Sequence, residues 1–244
     1  DSGLSLGERI MEAYWETEKV KSGEEPESPN YYKNKLSEIV SNIKSEMDKG
    51  NDAEDVINTC IYELVNAPEN IEYRDKHGDI PLTKTLSSGK ISCCSSTSLY
   101  LILSEAIKFD LFEKYNIGRV PRHVFIRKEK GENYENIDQG KRSNGNQHKF
   151  GRNDLPKTEP KEFILSSILY NCGCNLHIIQ KRYDESIECY NKALEINPDE
   201  EIVWNSKGDA YEKIGDYEEA FKCYNKALEI NNRQDLNRLE YDKR

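Results

Sequence analysis

Apolar residues recur at spacings of three and four along four stretches of the chain, and this periodicity predicts four helices before residue 110. Residues 31–48 carry one apolar face that ends before Gly50, and Asp52 is placed to cap the helix that follows. Residues 4–20 carry a less regular stripe and precede a linker-like segment at 21–30, so this helix packs either on the same core or on the C-terminal part of the chain. The fourth stripe comprises Leu99, Ile102, Leu103, Ala106 and Ile107.

Two short segments between residues 123 and 138 alternate apolar and polar positions instead, which predicts a β-hairpin. If Lys130 and Gly131 form a two-residue turn, residue 127 faces 134 and residue 125 faces 136. His123 then lies directly opposite Asp138, with their Cβ atoms about 5 Å apart. A carboxylate at that distance is able to orient an imidazole ring.

Two cysteines stand where the fourth helix is expected to begin, directly after turn-forming residues at 87–89. A helix N-terminus has unpaired N–H groups and a partial positive charge, which stabilise a thiolate and offer donors to an oxyanion. We therefore expect Cys93 to act as a nucleophile, with His123 as its base and Asp138 as the residue that orients the base. Cys94 is the alternative nucleophile.

The residues around this triad resemble the transglutaminase-like superfamily, in particular its microbial cysteine protease-like branch with C-terminal tetratricopeptide repeats. The resemblance is carried by the helix-start cysteine, Leu-Tyr-Leu-x-Leu at 99–103, Pro-x-His-Val-Phe-Ile-Arg at 121–127 and Tyr-x-Asn-Ile-Asp at 134–138. Counting seven residues back from Tyr100, as in that family, gives Cys93. The family usually has Gly-x-Cys, whereas Gly89 lies four residues before Cys93, which keeps Cys94 as the alternative.

The resemblance implies an α+β fold with a papain- or transglutaminase-like catalytic domain over residues 51–160. In such a domain the cysteine begins a helix, and the histidine and aspartate lie on an antiparallel sheet. Residues 1–50 would add N-terminal helices that pack on this core. The resemblance also implies Cys-His-Asp catalysis of acyl transfer.

The sequence Cys-Tyr-Asn-Lys-Ala-Leu-Glu-Ile-Asn occurs at 189–197 and again, 34 residues later, at 223–231. The second copy has its aromatic and small residues at tetratricopeptide spacings. Residues 161–244 are thus predicted to form an α-helical tetratricopeptide (TPR) array, with repeats at about 166–199 and 200–233 and a capping helix in the tail 234–244. The positions that carry this spacing are Trp204, Gly208, Tyr211, Gly215, Tyr217, Ala220, Tyr224 and Ala227.

The first repeat departs from the pattern, because Cys174 stands at the small glycine position and Ser186 at an alanine position. Small residues at these points let the two helices of a repeat approach closely, and larger ones loosen the crossing. Two repeats are also fewer than the three usually needed for independent stability. We therefore expect the first repeat to dock on the catalytic domain.

A metal site is considered at Cys172, Cys174 and His177, but these residues point in three directions around one predicted helix and lack a fourth ligand. Cys189 and Cys223 occupy matching repeat positions and are expected to be buried as small apolar groups. The chain also has no carboxylate cluster with calcium-loop spacing, so no metal and no cofactor is expected.

Composition narrows the remaining function classes. The net charge of −10 disfavours nucleic-acid binding, and no apolar run approaches the length of a membrane span. Seven cysteines, an odd number without regular spacing, favour reduced thiols and a cytoplasmic location. Because the chain begins at Asp1, an extracellular location remains open if a leader was removed.

These observations predict a cysteine-dependent acyl-transfer enzyme, most simply a peptidase- or amidase-like hydrolase. Its partners would be a peptide or amide substrate and a protein or peptide bound in the TPR groove, with no nucleic acid and no membrane. Two alternatives stay open. One is a non-catalytic TPR scaffold with a degenerate transglutaminase-like domain, and the other is a protein-glutamine transglutaminase.

Overall fold

The computed structural model describes residues 4–22, 28–66, 82, 85–86, 92–109, 115–120, 123–130, 133–138, 141–144 and 157–241. The chain divides into two compact units, Asp1–Ile164 and Leu165–Arg244. The first unit combines helices with an antiparallel sheet, and the second consists of helices.

The described helices of the first unit begin and end close to the predicted positions. Asp52 caps the third helix, because its carboxylate accepts hydrogen bonds from the backbone N–H groups of Glu54 (2.9 Å) and Asp55 (3.3 Å). Gly50 has a positive φ of 91°, a conformation that ends the second helix at little cost for glycine. The four helices are α1 (Leu6–Ser22), α2 (Pro29–Asp48), α3 (Ala53–Asn66) and α4 (Cys93–Ala106).

Helix α4 is the central element of this unit. Every residue from Cys94 to Ser104 is buried, so the helix is covered on all sides rather than on one apolar face as predicted. Its polar residues are accommodated because their hydroxyls bond back to the helix. Ser98 Oγ donates to the carbonyl oxygen of Cys94 at 2.8 Å, and Ser104 Oγ donates to that of Tyr100 at 2.6 Å.

The N-terminal helix α1 contacts α4 within the first unit. The Tyr14 hydroxyl lies 3.3 Å from Ser98 Oγ, and the backbone N–H of Gly7 donates to Glu105 Oε2 at 2.6 Å. The sequence left two packing partners open for α1. In the structure, α1 packs on the core of its own unit.

Five antiparallel strands form one sheet in the order β4-β3-β2-β1-β5. Strand β2 is central and buried on both faces, since Val124, Phe125, Ile126 and Arg127 all have little exposed surface. Helix α4 contacts β2 and β3. The strands are β1 (Asn116–Val120), β2 (His123–Lys130), β3 (Asn133–Asp138), β4 (Lys141–Asn144) and β5 (Lys157–Glu159).

The predicted hairpin exists, but its predicted register is wrong by two residues. The structure pairs Ile126 with Ile137, whereas the predicted register would set Ile126 against Glu135. In the observed register Glu135 pairs with Lys128 instead. The observed register pairs two apolar residues, Ile126 and Ile137, and a basic residue, Lys128, with an acidic one. Such cross-strand pairs outweigh the weak turn preference of Lys-Gly.

The second unit contains two helical hairpins that coincide with the two predicted repeats. The first hairpin's leading helix continues into a π-helical segment, Asn175–Gln180, before the chain turns. Buried side chains of the first hairpin and of the third helix form one cluster that includes Ile187, Leu194, Val203 and Ala210. The helices are α5 (Phe163–Cys174), α6 (Tyr183–Ile196), α7 (Glu201–Ile214) and α8 (Tyr217–Tyr241).

The tail through Tyr241 continues α8 and does not form a separate capping helix. The sequence explains the difference. Between the repeats, Pro198 forces Asn197 into an extended conformation (φ −131°, ψ 89°), which ends α6. The residue 34 positions later is Asn232, which keeps its N–H and has no ring, so α8 continues through this position.

Candidate functional site

The predicted nucleophile stands at the first residue of helix α4. Ser92 caps this helix with a reciprocal pair of bonds, because its Oγ accepts from the N–H of Ser95 (3.1 Å) and Ser95 Oγ accepts from the N–H of Ser92 (2.9 Å). Cys93 is half-buried, whereas Cys94 is only 2% exposed. The two candidate thiols therefore differ in access, and only Cys93 has substantial contact with solvent.

Polar side chains hold the start of α4 in place. Thr85 Oγ1 donates to Ser95 Oγ at 3.2 Å, and both residues are fully buried. The same Ser95 oxygen lies 3.1 Å from Ser92 Oγ. Because a satisfied buried hydroxyl network fixes the side chains that form it, the backbone around Cys93 has a defined orientation.

The structure places the backbones of His123 and Asp138 on adjacent strands, and the side chains of both residues lie outside its described part. His123 begins β2 and pairs with Val120, while Asp138 ends β3 and pairs with Lys141. Continuing the observed register by one step sets Asp138 opposite Phe125. His123 and Asp138 are therefore diagonal neighbours and not the directly opposed pair that was predicted.

The second candidate site is the repeat array, where a glycine of each leading helix lies against a tyrosine of the following helix. A Cβ atom built on Gly173 would lie 2.7 Å from Cδ1 of Tyr190, and one built on Gly208 would lie 2.8 Å from Cδ1 of Tyr224. Gly173, and not Cys174, is thus the counterpart of Gly208. The prediction that the first repeat has lost its small glycine is wrong.

A one-residue insertion explains why the 34-residue period of the sequence did not identify this glycine. Tyr183 and Tyr217 begin the second helices of the two repeats, and the glycine lies ten residues before Tyr183 but nine before Tyr217. A π-helical turn holds one residue more than an α-helical turn, so the π segment Asn175–Gln180 absorbs the insertion. The sequence contains a sign of this insertion: the leading helices of the two repeats are related by an offset of 35 residues, which pairs Gly173 with Gly208, whereas the second helices are related by an offset of 34.

The 35-residue equivalence defines a face on the leading helices, here called the first-helix face. The Tyr224 hydroxyl donates to Asp209 at 2.7 Å and to Glu212 at 3.0 Å, and both carboxylates are exposed. Burial lowers the pKa of His177, and the charge of Asp209 partly opposes that shift while Lys213 adds to it. The first-helix face consists of Tyr170 and Cys174 on α5, His177 in the π-helical segment that continues α5, and Asn205, Asp209 and Glu212 on α7.

The cysteines of the two repeats are buried or half-buried. Cys189 and Cys223 are both buried, as predicted, and Cys189 Sγ lies 3.4 Å from Cys172 Sγ. The hydroxyl of Tyr190 lies 3.8 Å from Cys174 Sγ.

Across the residues that the structure describes, no group of three or more His, Cys, Asp or Glu side chains is arranged to hold a metal ion. No described helix has the length and apolar character needed to cross a membrane.

Comparison with known proteins supports the repeats. Residues 165–233 match the family model of the tetratricopeptide repeat. This part of the chain forms a helical array similar to tetratricopeptide repeats. No curated protein matches the chain.

Among solved structures, the chain is similar to a crystal structure of menin that reveals the binding site for Mixed Lineage Leukemia (MLL) protein. The identity is 9% and the TM-score 0.47 over 91% of this chain. The match spans 65% of the length of that menin chain.

Proposed function

We propose that this protein is a protein-interaction module whose TPR array binds a segment of a partner through the first-helix face. The observation that carries this proposal is the repeated Gly–Tyr contact, which packs the leading helices α5 and α7 in equivalent ways. Equivalent packing supports a continuous surface built from both leading helices. TPR repeats in general present such surfaces to other proteins.

The charges of this face favour a basic partner segment. Asp209 and Glu212 are exposed carboxylates one turn apart on α7, and their contact with the Tyr224 hydroxyl holds them on the same side of the helix. Lysine or arginine side chains of a partner would pair with them at the rim of the contact. Such rim charges raise association rates and selectivity more than they raise affinity.

Binding of labelled basic peptides to the full chain tests this proposal. We expect saturable binding in fluorescence anisotropy, weakened about tenfold by the double substitution Asp209→Lys and Glu212→Lys. Glu229→Lys is the matched control, because Glu229 is an exposed acid on α8, away from the first-helix face, and its loss should leave binding unchanged. Equal binding by wild type and the Asp209/Glu212 variant would refute the assignment of this face.

We infer a second function, cysteine-dependent hydrolysis of an amide, from the environment of Cys93. Its support is the half-buried position of Cys93 at a capped helix start, on a helix that contacts β2 and β3, the strands to which His123 and Asp138 belong. The deeper burial of Cys94 favours Cys93 as the nucleophile. The diagonal placement of His123 and Asp138 requires the carboxylate to reach across about 7–8 Å between backbone positions.

The proposed reaction proceeds in two balanced steps. The sulfur of Cys93 bonds to the carbonyl carbon while His123 takes the thiol proton and then gives it to the leaving amine, as the C–N bond breaks. Water, deprotonated by His123, then attacks the thioester and releases the acid as the S–C bond breaks and the thiol regains its proton. If an amine replaces water, the product is a new amide, which is the transglutaminase alternative.

Alkylation rates distinguish the enzyme from a scaffold with a degenerate domain. We expect iodoacetamide to modify Cys93 about tenfold faster than Cys60 at neutral pH, and His123→Ala to remove this difference. Cys60 matches Cys93 in access because it is also half-buried. Since burial together with Glu63 raises the pKa of Cys60 and slows its own reaction, the decisive result is the loss of rate at Cys93 itself in His123→Ala. Uniform slow labelling would favour the scaffold, and turnover of a peptide-amide library that survives Cys93→Ala but not Cys94→Ala would assign the other thiol.

A further inference from the structure

Helix α8 carries a row of large apolar side chains on its outer surface. Tyr217, Phe221 and Leu228 are 71%, 66% and 56% exposed, and their spacings of four and seven place them on one side of the helix. We call these three residues the outer stripe. The opposite side of α8 is buried in the usual way, through Ala220 and Cys223 among others.

The first repeat shows what the outer stripe is shaped to contact. The residues 34 positions earlier than Phe221 and Leu228 are Ile187 and Leu194, which are each only 7% exposed. They are buried in one cluster with Val203 and Ala210, two residues of α7. In the first repeat, therefore, the same side of the second helix is covered by a following helix that presents small or β-branched residues seven positions apart.

The described residues that follow Leu228 place no such cover on α8, because they continue the same helix. Where Pro198 ends α6 and lets the chain turn back into α7, Asn232 lets α8 run on to Tyr241. Within the described residues, therefore, no turn brings a third leading helix against Phe221 and Leu228. Large apolar side chains left together on one helix face mark a contact surface more often than solitary ones do.

From this equivalence we infer that the outer stripe binds an amphipathic helix of a partner protein, with Val- or Ala-sized residues seven positions apart, in the place that α7 occupies on α6. This inference does not depend on the proposed function, because the first-helix face lies on α5 and α7. The partner helix continues the packing of the array, as in helix-in-groove recognition.

A second copy of this chain fits the outer stripe less well. Two outer stripes set against each other would oppose large side chains to large ones, without the small residues that Ala210 and Val203 supply on α7. The other exposed large apolar residues that the structure describes do not form a second row of this kind. They are Leu4, Tyr62, Ile178, Ile179, Ile202 and Ile214.

A labelled peptide with the sequence of residues 199–216, which contains α7, is the probe for this surface. We expect saturable anisotropy on titration with the full chain, and ~10-fold weaker binding to the variant Phe221→Lys/Leu228→Lys. A peptide that carries Val203→Glu and Ala210→Glu should not bind. Because Phe221 and Leu228 are more than half exposed, the variant should keep the circular dichroism spectrum of the wild type.

The control variant exchanges the charges of an ion pair on the same helix. Lys226 and Glu229 form a 3.1 Å pair off the outer stripe, so Lys226→Glu/Glu229→Lys should bind the peptide as the wild type does. Absence of binding at millimolar peptide, or equal binding by the Phe221/Leu228 variant, would overturn the inference. Sedimentation that shows a dimer of the chain alone, abolished by Phe221→Lys/Leu228→Lys, would assign the stripe to a second copy and also overturn it.

Discussion

Gly173 lies directly against the ring of Tyr190, close enough that a Cβ atom on the glycine would stand 2.7 Å from ring atom Cδ1. Gly208 and Tyr224 repeat this relationship in the second repeat, at 2.8 Å. The contact brings the two helices of each repeat together. Both repeats share this contact, although they differ in the number of residues between the glycine and the following turn.

The first prediction concerns this contact. Gly173→Ala should lower the free energy of unfolding of the chain by roughly 1–3 kcal/mol, because the ring of fully buried Tyr190 has no room to move away. Gly208→Ala is the matched comparison and should cost less, since half-buried Tyr224 is able to shift away from the added methyl group, while the gain of about 1 kcal/mol in helix propensity is common to both substitutions. Urea titration followed by circular dichroism measures both, and equal losses would contradict the explanation.

The second prediction concerns the turn between the helices of the first repeat. Lys181 has a positive φ of 55°, at the position where the second repeat has Gly215 with a φ of 87°. A side chain in this left-handed conformation costs about 1–2 kcal/mol, so Lys181→Gly should raise the free energy of unfolding by about 1 kcal/mol. Gly215→Ala should lower it by a similar amount. A destabilising Lys181→Gly would show that its side chain makes a contact that outweighs the strain.

The third prediction concerns the cap of helix α4. Ser92→Ala should reduce the free energy of unfolding by about 1 kcal/mol, because the N–H of Ser95 then loses its acceptor. Ser92→Asp keeps an oxygen acceptor in this place and should restore most of the loss. If both variants are equally destabilised, the capping bond is not the source of the effect.

The fourth prediction concerns the pH dependence of the repeat unit. Burial lowers the pKa of His177 below its ordinary value of about 6.5, so below neutral pH the unfolded chain binds more protons at this residue than the folded chain. Neutral His177 therefore contributes to the free energy of unfolding above about pH 6.5, and this contribution is lost as the pH falls through the pKa of His177 in the folded chain. Denaturation midpoints should therefore fall more steeply from pH 7 to 5 in the wild type than in His177→Gln. Parallel curves, or an imidazole NMR titration centred above 6.5, would contradict this.

Features set by neighbouring residues could be predicted from the sequence. The first residue of α4, the Asp52 cap and the end of α2 at Gly50 all depend on side chains within a few positions of the backbone groups they affect. The repeats followed from their 34-residue period in the same way. The buried state of Cys189 and Cys223 was predictable because equivalent positions in stacked repeats have equivalent surroundings.

Features set by pairing across the chain could not be predicted as reliably. The hairpin register depended on whether turn preference or the match of Ile126 with Ile137 was stronger, and the apolar match prevailed. The pairing of Gly173 with Tyr190 was hidden by the inserted residue before the turn. The full burial of α4 depends on helices and strands distant in sequence, which no local periodicity records.

The π-helical segment at Asn175–Gln180 has a consequence for how this chain tolerates change in length. Losing one residue from an ordinary helix rotates everything beyond it by about 100° and pulls the two flanking contacts out of phase. Here the surplus residue is already held in a widened turn, so removing exposed Ile179 would tighten that turn and leave Gly173 and Lys181 in the spacing of the second repeat. Evolution or a protein engineer can shorten the chain at this point while both ends of the hairpin stay where they are.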